Sequence, residues 1–218
     1  GGGGGGVSAS QSRVAASPSS ITAGGPTATI TVTVKDANDQ PISGASVVLA
    51  ATGSVDALTQ PGSVTDASGV ATGTLSSTVA GAKVVSAKAN GTAITQTDTV
   101  TITPGPVSAS QSSVVAAPTS IAPGGATSTI TVRALDANGN PISGATVVLA
   151  QTGSMTVLTQ PAATTNASGV ATGTLTSMMV ETTIVSAKID GTAITQTATV
   201  QVMAQTAAAI VHTLLASG

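Results

Sequence analysis

The sequence predicts an all-β fold: two tandem immunoglobulin-like β-sandwiches followed by a short C-terminal extension. Three observations predict it. Residues 7–100 align with residues 107–200 at a constant offset of 100 without a gap, and roughly two thirds of the positions are identical, so the chain holds two copies of one unit. Within each copy, Val, Ile and Leu alternate with Thr at a period of two, the pattern of a half-buried strand. Clusters of Gly, Asn and Asp separate these runs, as in a sandwich of short antiparallel strands, and no helical period of useful length precedes the C-terminal tail.

The expected organisation is residues 1–6 as a Gly-rich linker or placeholder, 7–103 and 107–203 as the two sandwich domains, 104–106 as a linker, and 204–218 as the extension. In the first copy Ile30, Val32 and Val34 alternate with Thr29, Thr31 and Thr33, putting aliphatics on one face and hydroxyls on the other. Val47 with Leu49, then Val70, Leu75, and Val84 with Val85, mark further short strands. A last long strand is expected over 92–102, with Thr95, Thr97, Thr99 and Thr101 facing outward. The best-matched blocks are PISGASVVLA at Pro41 against PISGATVVLA at Pro141, ASGVATGTL at Ala67 and Ala167, and GTAITQT at Gly91 and Gly191. The copies meet at Thr103-Pro104-Gly105-Pro106, whose prolines restrict the chain, so a short, stiff joint and a rod are the expected outcome.

Composition narrows the function. Hydrophobic residues make up 41% of the chain, yet Phe, Tyr and Trp are absent, so the cores must be filled by Val, Ile, Leu, Ala and a few Met. Each missing aromatic forgoes about 150–250 Å² of burial, which predicts thin cores. Charged residues are 6% and the net charge is −2, leaving no basic footprint for nucleic acid. With no Cys, disulfides and thiolate metal sites are excluded. No apolar run approaches the about 20 residues that span a bilayer. The chain opens on Gly1 rather than on a signal peptide, so a processed, cut or incompletely identified start is expected; the six glycines read as a flexible linker or as a stand-in for unassigned residues.

Two turn motifs recur. Asp36-Ala37-Asn38-Asp39-Gln40-Pro41 becomes Asp136-Ala137-Asn138-Gly139-Asn140-Pro141, and Thr65-Asp66-Ala67-Ser68-Gly69 becomes Thr165-Asn166-Ala167-Ser168-Gly169. Asp and Asn bond nearby backbone and tolerate left-handed conformations, so both read as tight turns that launch strands. A strand followed by D-x-N-G-N-P-I-x-G-A-x-V and then T-[DN]-A-S-G-x-A-T resembles the bacterial Ig-like Big-1 modules of invasin- and intimin-type adhesins. The resemblance covers about residues 10–100 and 110–200, and the first copy departs from it at Asp39 and Gln40, which leaves its turn type open. It implies stiff stalks of tandem sandwiches projecting from a bacterial surface, with binding delegated to a distal domain, and it supplies no catalytic residues.

Candidate sites are few. Asp36, Asn38 and Asp39 echo the opening of a calcium loop, but the downstream bidentate acid is missing and the second copy keeps one carboxylate, which favours an ordinary turn. His212, the only histidine, has no evident partner unless Glu181 or Asp190 folds beside it, and a surface or interface role is favoured. No G-x-S-x-G elbow accompanies the many serines. Gly24-Gly25 and Gly124-Gly125 lack the lysine of a phosphate loop and read as turns. Asn90-Gly91-Thr92 and Asn166-Ala167-Ser168 match a glycosylation pattern at non-equivalent positions, which favours coincidence. Catalytic, cofactor-binding and metal residues are thus expected to be none. For the tail after Val200, aliphatic over 207–215, three readings stay open: a short helix packed on the second domain, a strand donated to a neighbour, or the start of another domain.

The function expected from the sequence is a non-enzymatic, extracellular structural or adhesive surface protein, a stalk segment or fibre subunit. A phage capsid-decoration or tail protein is the alternative. Expected partners are copies of itself or neighbouring Ig-like repeats, with a host or cell-surface receptor as a further one.

Overall fold

The computed structural model describes residues 5–53 and 57–204. They divide into two compact units, one running up to Pro106 and including Asp136–Asn140, the other starting at Val107. In the first copy the strands are β1 (Arg13–Ser17), β2 (Ser20–Thr22), β3 (Ala28–Thr33), β4 (Val47–Ala51), β5 (Ala57–Thr59), β6 (Val70–Ser76), β7 (Gly81–Ala89), β8 (Thr92–Ala93) and β9 (Asp98–Thr103). The second repeats them as β10 (Ser113–Ala117), β11 (Ser120–Ile121), β12 (Thr127–Arg133), β13 (Val147–Gln151), β14 (Thr156–Thr159), β15 (Val170–Ser177), β16 (Glu181–Ile189), β17 (Thr192–Ala193) and β18 (Ala198–Val202). No helix occurs among the described residues.

Each copy is a sandwich of two sheets. Their orders are β1-β3-β6-β5 and β2-β9-β7-β4 with β8 on β7, then β10-β12-β15-β14 and β11-β18-β16-β13 with β17 on β16. The chain switches sheets between β1 and β2 at Pro18, which lacks a ladder donor, and β2 then pairs parallel with β9. Strand polarity places entry and exit at opposite ends of the sandwich. Near the entry Ser8 donates to Lys35 O at 2.8 Å and Arg13 pairs with Thr33. At the other end Ser17 pairs with Thr29, and the exit residue Thr103 pairs with Thr22.

The cores follow from the alternation. Ala28, Ile30 and Val32 of β3 point inward to meet Leu75, Val85, Val100 and Ile102, while Thr29 is exposed and Thr31 and Thr33 are half-buried. Ile130, Val132, Leu175, Val185 and Val200 fill the second core. Methionine, expected as filler, is found in neither: Met155, Met178, Met179 and Met203 are each 50% exposed or more, because they occupy loops and strand ends beyond the layered positions. The long strand expected over 92–102 is also corrected. After β8 the backbone leaves the ladder, Ile94 turns into the core, and Thr95 donates through N and Oγ1 to Ala9 O at 3.0 and 2.9 Å before β9 begins. Thr95 and Thr97 are therefore exposed loop residues, whereas Thr99 and Thr101 face outward on β9.

Both turn motifs share one geometry. In the first, Asp36 N donates to Gln40 O, Asp39 N donates to Asp36 O, and Asp36 Oδ1 accepts from Asn38 N and Gln40 N at 2.8 and 2.9 Å. The second repeats this with Asp66, Ser68, Gly69 and Val70. This is a type I turn closed by a left-handed residue, a common three-residue hairpin loop. Asp39 adopts φ 66° where Gly139 adopts 82°, so the departure at Asp39 leaves the turn unchanged; Lys35 Nζ meets Asp39 Oδ1 at 2.7 Å on the surface. Asn166 replaces Asp66 with the same two bonds at 2.9 and 3.0 Å. Asp66→Asn is therefore expected to leave the urea midpoint nearly unchanged, whereas Asp66→Ala should lower stability by about 1 kcal/mol.

Candidate functional site

The groups that could do chemistry are occupied in holding backbone. Asp36 and Asp136 spend Oδ1 on turn amides. Burial pushes the Asp136 carboxyl up, but the Asn140 amide at 2.8 Å and the backbone N–H groups of Gly105, Asn140 and Asn138 outweigh it and hold the carboxyl below its ordinary value. These are turn-stabilising bonds. Among the described residues no group of three or more His, Cys, Asp or Glu converges to hold a metal.

Glu181 and Asp190 are likewise engaged. Glu181 accepts from Ser177 Oγ and Thr156 Oγ1 at 2.7 Å each and from Ser154 N at 2.9 Å, which holds its carboxyl low. Asp190, at φ 47°, accepts from Thr146 N at 2.8 Å, as Asn90, at φ 46°, accepts from Ser46 N at 2.9 Å. His212 and residues 205–218 lie outside the described residues, so the tail readings do too. Gly24, Gly124 and Gly125 take positive φ in loops. The glycosylation-pattern residues Asn90 and Asn166 both use Oδ1 on backbone amides. A recess of about 290 Å³ beside Ala162, Ala163, Thr164, Asn166 and Thr172 contains neither an acid nor a base.

Both carboxyl shifts are downward, so each folded carboxylate holds its proton less tightly than in the unfolded chain. The stabilisation is fully present above the unfolded range of about pH 4–4.5 and is lost as pH falls through the lower folded values. Glu181→Gln should thus lower the urea midpoint of the second unit near neutral pH, and its gap from the native chain should close as pH falls below about 4.

Sequence reading missed a different polar device. Gln60 Oε1 accepts from Leu49 N at 2.7 Å and Gln60 Nε2 donates to Leu49 O at 3.0 Å, so one side chain stands in for a missing neighbour along edge strand β4. Gln160 repeats this on Leu149 at 2.7 and 2.9 Å. Capping an edge suppresses sheet-to-sheet association. The signal was available, since Leu-Thr-Gln-Pro at Leu58 returns unchanged at Leu158 in a stretch that is otherwise variable between copies.

Comparison with known proteins matches this architecture. The family model for invasin, domain 3, matches twice, at residues 8–105 and 108–205. Among solved structures, the Escherichia coli adhesin FdeC is 27% identical with a TM-score of 0.72, covering 93% of this chain and 66% of that one. InvD of Yersinia pseudotuberculosis is 26% identical with a TM-score of 0.68 (91% of this chain, 59% of that one). Invasin, described as a bacterial integrin-binding protein, is 26% identical with a TM-score of 0.69 (92% and 41%). The chain thus spans between 41% and 66% of the length of these structures. Comparison with the curated proteins gives no match. On two family matches that together take in most of its length, the chain belongs to the invasin domain 3 family of immunoglobulin-like adhesin modules.

Proposed function

We propose that this chain is a spacer: a non-enzymatic stalk segment of an extracellular bacterial surface adhesin. One observation carries the reading. Each sandwich takes the chain in at one end and releases it at the other, so every added copy adds length. A surface dominated by Thr and Ser with 6% charge in the chain stays polar at any pH, which suits an exposed shaft. The similarity to FdeC and invasin supports the adhesin setting. The domain limits 7–103 and 107–203 form part of the proposal, as do neighbouring Ig-like repeats as partners. Receptor contact, whether with a host protein as for invasin or otherwise, is assigned to other parts of the mature protein.

Small-angle scattering on chains carrying two, four and six copies tests this. The maximum dimension should rise in proportion to copy number; growth only as the cube root of mass would overturn a stalk. Antibody raised against the repeats should label intact source cells. Labelling confined to phage particles would transfer the modules to the virion reading, for which no observation here speaks.

A further inference from the structure

Each sandwich ties its point of entry to its point of exit through one pair of strands. In the first copy β2 leads in from the entry side and β9 leads to the exit. The two run parallel, with Ser20 opposite Thr101, Ile21 opposite Ile102 and Thr22 opposite Thr103. Backbone bonds extend the pair at both ends: Thr101 N donates to Ser19 O at 2.9 Å, and Ala23 N donates to Thr103 O at 2.8 Å. Thr103 Oγ1 donates to Ile21 O at 3.3 Å, and Ile21 and Ile102 are buried in the core. Parallel pairing of these two strands has a mechanical consequence. Tension on the two termini draws β9 toward the exit and β2 toward the entry, each along its own axis, so the bonds between them are loaded together rather than opened one at a time. β1 is drawn lengthwise against β3 in the same way.

We propose that β2 with β9 in the first copy, and β11 with β18 in the second, are mechanical clamps that set how long each module stays folded under tension. The proposal rests on the stalk reading for the source of that tension, drag or a bound surface pulling on a tethered chain. The internal repeat supplies a graded comparison. In the second copy Ser120 and Ile121 pair with Gln201 and Val202, Gln201 N donates to Thr119 O at 2.8 Å, and Met203 N donates to Ile121 O at 2.9 Å. Position 123 is proline where the first copy has Ala23, so no N–H exists there to repeat the bond to the exit strand. Met203 in place of Thr103 removes the hydroxyl bond as well. The second clamp therefore lacks both of those bonds and is the weaker of the two. The adjoining contact is unaffected: Gly24 N donates to Ser77 O at 2.9 Å and Gly124 N to Ser177 O at 3.0 Å.

Constant-force unfolding of the full chain, held by its two ends, tests the clamp. Ala23→Pro places in the first module the residue that the second already carries at the equivalent position, so the fold accommodates it. One of the two unfolding lifetimes should shorten about fivefold, the factor for a hydrogen bond of about 1 kcal/mol. Pro123→Ala should lengthen the other lifetime by a similar factor. Asp66→Ala is the control, a loss of similar size in a turn outside the terminal pair. Its lifetime under force should stay within about twofold of native, because that turn is still formed when the clamp gives way. Lifetimes unmoved by either proline substitution, or moved as far by Asp66→Ala, would overturn the clamp. The scattering series on copy number reads length without load, so a chain that fails to extend would sink the stalk while leaving the force result intact.

Discussion

Leu75→Ala will lower the melting temperature of the first module by about 15 °C or more. Leu75 is fully buried, and it faces a core built solely of Ala, Val, Ile and Leu. Truncating a buried leucine removes its transfer energy and leaves a cavity, about 2–5 kcal/mol together. The upper part of that range is expected, because short branched neighbours cannot swing into the space as Met or an aromatic would. In a domain of roughly 100 residues each kcal/mol shifts the midpoint by about 4–8 °C. Calorimetry of the full chain measures this, with Leu175→Ala as the counterpart in the second module and Val48→Ala, at a site 58% exposed, as the control expected within about 0.5 kcal/mol of native. A loss below about 1 kcal/mol at Leu75 would mean that the core repacks.

Gly69→Ala has a comparable effect for a different reason. Gly69 lies at φ 73°, and a Cβ there would stand 2.5 Å from Val34 O, the oxygen that accepts from Ile42 N at 2.9 Å. The left-handed conformation costs an L-residue about 1–2 kcal/mol, and displacing the carbonyl weakens a hydrogen bond as well, so a total of about 2–4 kcal/mol is expected. Gly44→Ala separates the two contributions. Its φ is 79° but its Cβ would meet nothing within 4 Å, so only the conformational cost should remain in urea unfolding. Equal losses at both sites would remove the steric argument.

These two experiments mark where sequence reading worked. The burial of Ile30, Val32 and Leu75 was legible because a period of two leaves one choice of inward face. The turn around Gly69 was legible because Asp, Asn and Gly have few other uses between strands. The strand expected over 92–102 was misread because alternating Thr and aliphatic residues satisfy the pattern in a strand or in an extended loop. Which one forms depends on Ala9, some 86 positions away, accepting the Thr95 bonds. The methionines were misread as filler because composition counts residue types without their layer. Glu181, weighed as a possible neighbour of His212, accepts from Ser177, Thr156 and Ser154, while His212 lies outside the described residues.

By itself the sequence determined the duplication, the all-β sandwiches, the inward faces and the position of every hairpin loop discussed above, because these rest on local periodicity and on backbone preferences of single residues. Tertiary structure decided the sheet switch after Pro18, the Gln60 cap on β4 and the break before β9. Each of these joins residues far apart in the chain, and the energy that selects them comes from pairing and packing that no local window contains.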